Sequence, residues 1–96
     1  MLYIGICDDD EGVCAELERM LYDYAEQNKI QMDIDIWYRG ESLCRFLREK
    51  EQISDVLFLD IELLTTNGIE VGRFIREEQE NMETAIVYIS ANSSYA

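Results

Sequence analysis

The 96-residue sequence predicts an α/β domain built on a doubly wound parallel sheet. Two observations carry this prediction. Four short apolar runs are separated by three helical patterns, and two of the runs are apolar throughout, as strands of a buried parallel sheet are. The order β-α-β-α-β-α-β places helices on both faces of the sheet through right-handed crossovers. The length fits one domain, spanning residues 1–96.

The first half of the chain supplies two strands and two helices. Strands are predicted at Leu2–Cys7 and Gln31–Tyr38, and the second alternates polar and apolar residues as a half-exposed edge strand does. That alternation puts Trp37 on the exposed face. Helices are predicted from about Asp10 to Gln27 and from about Glu41 to Lys50. The first helix has an apolar stripe at three- and four-residue spacing, formed by Val13, Leu17, Met20, Leu21 and Tyr24.

The second half supplies two strands and one helix. Val56–Leu59 and Ala85–Ile89 are continuous apolar runs, and the first of them fits a central strand covered on both faces. A helix is predicted from about Gly68 to Glu78. Its candidate inward face consists of Ile69, Gly72 and Ile75.

Polar residues stand where three of the strands end. Asp8 and Asp9 follow the first strand, Asp60 the third and Ser90 the fourth. The carboxyl ends of neighbouring parallel strands share one edge, so these groups meet if the three strands are adjacent. Converging carboxylates repel one another, and Mg²⁺ removes the conflict because carboxylate oxygens and water suit it. A carboxylate held beside Mg²⁺ can also attack phosphorus as a nucleophile.

A simpler interpretation of the aspartate run stays open at this point. Asp8, Asp9 and Asp10 precede a helix, and aspartate at a helix N-terminus is favourable because it accepts free backbone N–H groups.

Composition excludes several classes of function. The 21 acidic residues against 8 basic ones give a net charge of −13, which argues against direct binding to nucleic acid or to an anionic membrane. The apolar start of the chain is too short to be a membrane span or a secretory signal. The three cysteines form no CxxC pair and favour reduced thiols in the cytoplasm. Without histidine, a His-based triad or zinc site is excluded.

Four sequence segments together resemble one known family. Ile4–Asp10 reads IGICDDD, Leu57–Glu62 reads LFLDIE, Gly68 follows Asp60 by eight positions, and Ile86–Ala91 reads IVYISA. In this order and on these elements, along the whole chain, they resemble the receiver domain of two-component response regulators, which has a flavodoxin-like fold. The strings ICDDD, DIEL and NGIE are most similar to regulators whose output is a LytTR-type DNA-binding domain.

The resemblance implies a role for each residue at the strand ends. Asp60 would be the phosphoacceptor, and Ser90 the switch hydroxyl that moves toward the phosphoryl group. Asp8, Asp9, Asp60 and the backbone carbonyl of Glu62 would bind Mg²⁺, or Mn²⁺ in its place. The partners implied are a sensor histidine kinase, which supplies the phosphoryl group, and an output domain. The protein would be a cytoplasmic, self-phosphorylating switch more than a turnover enzyme.

The sequence departs from the family pattern in two places. Leu64 stands where the family commonly has proline. The family also continues with a helix, a fifth strand carrying a lysine, and a last helix, so the resemblance implies a truncated receiver domain. We expect such a fragment to bind Mg²⁺ and to transmit phosphorylation poorly. We also expect it to self-associate, either by edge pairing of Ala85–Ser90 or by packing of the apolar faces that the missing helices would cover. By the same resemblance, Glu62 and Asn92 would line the path of the hydrolytic water.

Two other classes of function remain. One is a pseudo-receiver that only binds other proteins, which beryllofluoride with Mg²⁺ would distinguish from a live site. The other is a haloacid dehalogenase-like phosphatase. That family carries its nucleophile on the first strand with a second aspartate two residues on, whereas Glu62 stands two residues after Asp60.

Overall fold

The computed structural model describes residues 1–49, 54–63 and 67–90, and the other residues lie outside this description. Its elements fall within two residues of most predicted bounds. They are β1 (Leu2–Cys7), α1 (Glu11–Gln27), β2 (Met32–Trp37), α2 (Gly40–Glu49), β3 (Val56–Asp60), α3 (Gly68–Arg73) and β4 (Ala85–Ile89). Helix α3 continues into one π-helical turn, Phe74–Glu78, here called the π turn. The predicted end of the second helix at Lys50 lies outside the described residues.

The four strands form one parallel sheet in the order β2-β1-β3-β4. The prediction that β2 lies at an edge is therefore confirmed, and β1, β3 and β4 are adjacent, which is the condition for their polar end residues to meet. In the register of the sheet, Cys7 lies beside Leu59, and Asp60 lies beside Ile89. This register brings the carboxyl ends of the three strands to the same edge.

Helices cover both faces of the sheet, which confirms the doubly wound architecture. On one face α1 packs over a cluster formed by Ile4, Ile6, Cys14 and Ile34. On the other face α2 and α3 pack over a cluster formed by Cys7, Leu43, Leu57, Leu59, Leu63, Val71 and Ile75. Each strand alternates between the two clusters because successive side chains point to opposite faces.

The prediction that Trp37 lies on the exposed face of the edge strand is wrong. Its ring packs against the cluster beneath α2 and meets the ring of Phe46 at 5.1 Å between centroids. The alternation along β2 is correct, but α2 crosses over the end of the strand and covers the tryptophan.

Two predicted inward faces also need correction. Ile69 is 51% exposed, and Val71 takes its place beside Gly72 and Ile75 on the buried face of α3. Met20 and Tyr24 are 57% and 56% exposed, and the buried residues of α1 are Cys14 and Ala25. The rest of each predicted face is correct. On α3, Gly72 and Ile75 are buried, and on α1, Leu17 and Leu21 pack against the core cluster beneath the helix.

A buried polar network fixes the amino ends of β3 and β4. The Thr84 side chain is almost fully buried; its hydroxyl donates to the carbonyl oxygen of Ser54 at 2.6 Å and accepts from the Asn81 amide at 2.7 Å. The guanidinium of Arg76 donates to the carbonyl oxygens of Asn81 and Thr84 at 2.9 and 2.7 Å. Every polar group in this network has a partner, so it ties the end of the π turn to the sheet.

The cysteines are free, and two of them lie in the core. Cys7 and Cys14 are fully buried, and Cys44 on α2 is half-buried. Burial raises the pKa of Cys7 to about 12 and that of Cys14 to about 11. Cys7 is thus a small core residue, as predicted. Within the described ranges, no helix combines the length and the apolar character that crossing a bilayer requires.

Candidate functional site

Three carboxylates converge at the carboxyl edge of the sheet. Asp8 and Asp9 follow β1, and Asp60 ends the neighbouring strand β3. One carboxylate oxygen from each lies within 4.8 Å of those of the other two. Asp8 and Asp60 are only 5% and 7% exposed, whereas Asp9 is open to solvent. The structure therefore brings together the three side chains that the sequence placed at this edge.

Asp10 has a different structural role from that of Asp8 and Asp9. Its Oδ1 accepts the backbone N–H groups of Gly12 and Val13 at 2.9 and 3.2 Å, which makes it the N-cap of α1. The helix-capping interpretation of the aspartate run thus applies to Asp10. Asp8 and Asp9 remain for the carboxylate cluster.

Hydrogen bonds to the end of β2 and to the start of α1 hold Asp8 in place. Its N–H donates to the carbonyl oxygen of Trp37 at 3.0 Å, and its carbonyl oxygen accepts from the Cys14 thiol at 3.3 Å. Its Oδ1 accepts the N–H of Asp10 at 2.9 Å. The start of α1 and the end of β2 therefore fix this carboxylate against the sheet.

The backbone around Asp60 is equally restrained. The N–H of Glu62 donates to Oδ1 of Asp60 at 3.1 Å, and the N–H of Ile61 donates to the carbonyl oxygen of Ile89 at 3.0 Å. A Cβ atom on Gly68 would overlap the carbonyl oxygen of Asp60, so only glycine lets α3 begin this close to the strand. The Gly68 N–H closes the turn by donating to the Ile61 carbonyl oxygen at 2.8 Å.

Asn67 sets the direction of α3 at this edge. Its Oδ1 accepts the N–H of Glu70 at 2.8 Å, and an isolated antiparallel bridge joins it to Glu62. This capping role of Asn67 was missed from the sequence. The signal was present as asparagine followed three residues later by glutamate, the pattern of a capping box.

Electrostatic conflict marks the cluster. Burial, together with the charges of Asp8 and Asp9, raises the pKa of Asp60 to about 6, against an opposing hydrogen bond from the Glu62 N–H. Burial, followed by the charges of Asp9 and Asp10, also raises the pKa of Asp8. Because the oxygens of the two buried carboxyls lie within 4.8 Å of each other, ionisation of one makes ionisation of the other less favourable.

The other predicted site residues lie beside the cluster. Ser90 is half-buried and lines a cavity of about 260 Å³ together with Asp8, Val13, Leu17 and Ile89. The side chain of Glu62 is exposed, and its backbone lies next to Asp60. Asn92 and the segment 64–66, which contains Leu64, lie outside the described residues.

The donor set fits a hard divalent cation. Three carboxylates within 4.8 Å of one another offer oxygen ligands and a negative charge that burial makes costly. Mg²⁺ binds through one or more carboxylates and retains water, which the exposed side of Asp9 leaves room for. The residues present therefore suit Mg²⁺.

Comparison with known proteins identifies the family. The model of the response regulator receiver domain matches residues 4–96, almost the whole chain. The chain belongs to the response regulator receiver family, whose members act as signalling switches.

A curated relative supports the same assignment. The sensory transduction protein LytT of Oceanobacillus iheyensis is 30% identical over 94 residues, which cover 98% of this chain and 36% of LytT. The chain thus spans about a third of the length of this relative.

Solved structures show the same fold. The response regulator TrrA of Thermotoga maritima, in complex with Mg²⁺-BeF, superposes with a TM-score of 0.79 at 25% identity, covering 99% of this chain and 74% of TrrA. The receiver domain of HemR from Leptospira biflexa superposes with a TM-score of 0.73 at 19% identity, covering 97% and 67%. The flavodoxin-like receiver fold predicted from the sequence is therefore confirmed.

Proposed function

We propose that this receiver domain accepts a phosphoryl group on Asp60 from a sensor histidine kinase in a Mg²⁺-dependent reaction. The state of Asp60 then controls an output domain, for which the similarity to LytT favours the LytTR type. The convergence of Asp8, Asp9 and Asp60, with two of the three carboxylates buried, is the observation that carries this proposal. A complex of TrrA with Mg²⁺-BeF supports it by analogy.

The chemistry assigns a role to each atom of the acceptor. Oδ1 of Asp60 accepts the Glu62 N–H, which leaves Oδ2 as the proposed nucleophile. An O–P bond forms as the bond between phosphorus and the kinase imidazole nitrogen breaks, and that nitrogen keeps the electron pair. Mg²⁺, held by Asp8, Asp9, Asp60 and the Glu62 carbonyl, would supply positive charge to the carboxylates and the phosphoryl oxygens. The Ser90 hydroxyl would donate to one of those oxygens.

Metal binding provides the direct test. We expect amide NMR signals of residues 8–10 and 60–62 to shift with Mg²⁺ at millimolar concentration in the wild type. Asp60→Asn should weaken this response by about tenfold or more, because it removes a charged ligand. Asp33→Asn on the exposed face of β2 is the matched control and should respond as the wild type does. Unchanged wild-type signals would rule out the site in this chain.

Beryllofluoride then separates a live acceptor from an interaction-only domain. With Mg²⁺ present, we expect beryllofluoride to shift Ile61 and Glu62 further in the wild type and to leave Asp60→Asn unchanged. Mg²⁺ binding without a beryllofluoride response would favour the pseudo-receiver alternative. The phosphatase alternative loses support because Asp60 ends β3 and not the first strand.

Glu62 offers a second test of the acceptor site. We propose that its exposed side chain borders the path of the hydrolytic water beside Asp60. Glu62→Ala should therefore change the decay rate of the aspartyl phosphate while the phosphorylated residue stays the same. Glu83→Ala, exposed near the other end of the sheet, is the control. Equal decay in all three proteins would contradict this role.

We also propose that the 96-residue chain self-associates through β4. Within the described residues β4 pairs only with β3, and Ala85–Ile89 carries no charge, whereas the opposite edge strand exposes Asp33 and Asp35. An uncharged edge is a template for pairing with a second strand. Light scattering at about 0.1 mM should show a dimer that Ala85→Lys, at an exposed position of β4, dissociates. A wild type that stays monomeric would contradict the proposal.

A further inference from the structure

Two glycines on α3 let the helix pack closely against two residues of the sheet, Asp60 on β3 and Tyr88 on β4. Gly68 and Gly72 are four residues apart, so they lie on one face of the helix, and both are buried. At Gly68, the space of the missing side chain is taken by the Asp60 carbonyl oxygen. At Gly72 it is taken by the phenol of Tyr88, whose hydroxyl would overlap an added Cβ atom and whose Cζ lies 3.2 Å from that position.

Tyr88 connects this helix face with the strand that ends at Ser90. It lies on β4, two residues before the switch hydroxyl, and is 44% exposed. The end of its ring fits the notch left by Gly72, while much of the rest faces solvent. Because β4 is hydrogen-bonded only to β3 in the described part of the chain, displacing it breaks contacts on one side only.

The far end of the helix is tied to the sheet, because the Arg76 guanidinium in the π turn donates to the carbonyl oxygens of Asn81 and Thr84. The guanidinium of Arg48 on α2 lies 4.9 Å from the centroid of the Phe74 ring and 4.0 Å from the carboxylate of Glu78. Both partners belong to the π turn. Close-packed elements move as units, so a change in the backbone at Asp60 that displaces Gly68 also displaces Gly72.

Glycine at position 72 has a measurable cost for the helix. Inside a helix, glycine is less favourable than alanine because its backbone loses more conformational freedom on folding. The chain carries this cost at the one point of α3 where the Tyr88 phenol enters. The notch therefore admits the aromatic ring at the expense of local helix stability.

We propose that Tyr88 is a positioning residue, which acts through its seat at Gly72 to pass the state of Asp60 to β4 and Ser90. This proposal rests on the proposed function, because it assumes that Asp60 changes state. Occupation of the acceptor shifts the start of α3 through Gly68, and the moving notch carries the Tyr88 ring and its strand. Every part of this route lies within the described residues.

The test follows β4 while the acceptor is occupied by a phosphoryl mimic. Amide NMR shifts of Ile61, Tyr88 and Ser90 are recorded as Mg²⁺ and beryllofluoride are added to the 96-residue chain. Gly72→Ala closes the notch, Tyr88→Leu removes the ring, and Tyr88→Phe keeps its shape. Val87→Ala is the matched control, because Val87 is similarly exposed on the opposite face of β4.

We expect Gly72→Ala and Tyr88→Leu to reduce the Ser90 shift by about half or more while Ile61 still responds. Because coupling is reciprocal, the beryllofluoride midpoint should also move by about threefold or more in these two variants. Tyr88→Phe and Val87→Ala should behave as the wild type does. A change in melting temperature alone would not produce this pattern, since packing without coupling leaves the Ser90 shift and the midpoint unchanged.

The outcomes that overturn the two proposals differ. A wild type whose Ile61 signal ignores Mg²⁺ with beryllofluoride overturns the proposed function and this inference with it. A wild type that responds, with Gly72→Ala and Tyr88→Leu giving the same Ser90 shift and midpoint, overturns the role of Tyr88 alone. If Gly72→Ala does not fold, the contrast between Tyr88→Leu and Tyr88→Phe decides.

Discussion

The two ends of the sheet bury polar groups in opposite ways. At the amino ends of β3 and β4, the Thr84 hydroxyl both donates and accepts hydrogen bonds, and Arg76 closes the network. At the carboxyl ends, Asp8 and Asp60 are nearly as buried, but they face each other and Asp9 with like charge. At the amino end, groups of the chain satisfy one another. At the carboxyl end, no positively charged group of the described residues is among the causes that shift the pKa of Asp8 or Asp60.

This difference separates stability from function within one small domain. Buried polar groups that satisfy one another contribute to the free energy of folding. Buried carboxylates that repel one another reduce it, and they persist where a ligand relieves the conflict. The pKa of Asp60, raised to about 6, is the physical sign of that conflict.

The largest expected effect is on the free energy of unfolding, from a substitution in the Thr84 network at the amino ends of β3 and β4. Thr84→Val keeps the shape but leaves the Ser54 carbonyl oxygen and the Asn81 amide without their partner, so the free energy of unfolding should fall by about 3 kcal/mol. Asp8→Asn removes a repelling charge and should raise the free energy of unfolding without Mg²⁺. Urea unfolding of the two variants measures both. A neutral Thr84→Val, or a destabilising Asp8→Asn, would break the contrast between the two ends.

The pH dependence should follow from the raised pKa of Asp60. Between about pH 4 and pH 6 the folded protein binds a proton at Asp60 that the unfolded chain has released, so stability falls as the pH rises. Above pH 6 this contribution is level. The total loss should be roughly 2 kcal/mol.

Asp60→Asn isolates the pH dependence caused by Asp60 from that caused by the other carboxylates. The difference in the free energy of unfolding between the wild type and Asp60→Asn, measured without metal at pH 4 and pH 7, should change by that amount. A difference that does not vary with pH would mean that the Asp60 carboxyl is ionised as easily in the fold as in water.

Mg²⁺ should remove part of this loss. A cation that binds only the folded state stabilises it by about 1.4 kcal/mol at ten times its dissociation constant. The gain should be larger at pH 7 than at pH 5, because protonated Asp60 competes with the metal. Thermal unfolding with and without Mg²⁺ at the two pH values tests this. Equal gains at both would argue that the metal binds away from Asp60.

The smallest expected effect comes from the aspartate run, in which Asp10 caps a helix and Asp9 belongs to the carboxylate cluster. Asp10→Ala removes the cap of α1 and should lower the free energy of unfolding by about 1 kcal/mol. Its Mg²⁺ affinity should stay close to that of the wild type. Asp9→Ala should do the reverse, since Asp9 belongs to the cluster and caps nothing among the described contacts. Loss of Mg²⁺ binding in Asp10→Ala would show that the cap and the metal site are not separate.

The features that local sequence patterns specify were predicted well. Strands β3 and β4 follow from continuous apolar runs, and the edge position of β2 follows from its alternation. The meeting of Asp8 with Asp60 follows from the rule that parallel strands end at a common edge. Each of these needs only the period of a strand and the order of the elements.

The features that depend on tertiary contacts were missed. Spacing along α3 favoured Ile69, but the Asn67 cap and the contact of Gly68 with Asp60 fix the helix so that Val71 faces the core. Trp37 was assigned to solvent because nothing in β2 tells that α2 crosses its end. The Thr84 network joins residues up to 30 positions apart, which no local pattern reports.

The buried thiol of Cys7 allows transient opening of the carboxyl edge of the sheet to be measured as a labelling rate. Cys7 directly precedes Asp8, and with its pKa raised to about 12 it is inert to alkylating reagents while the sheet is closed. Its modification requires the strand end to open transiently, so the labelling rate counts those openings. Cys44 on α2 is less buried than Cys7 and serves as an internal reference for the labelling rate. A ligand that binds the carboxylates should therefore lower the labelling rate of the neighbouring Cys7 thiol.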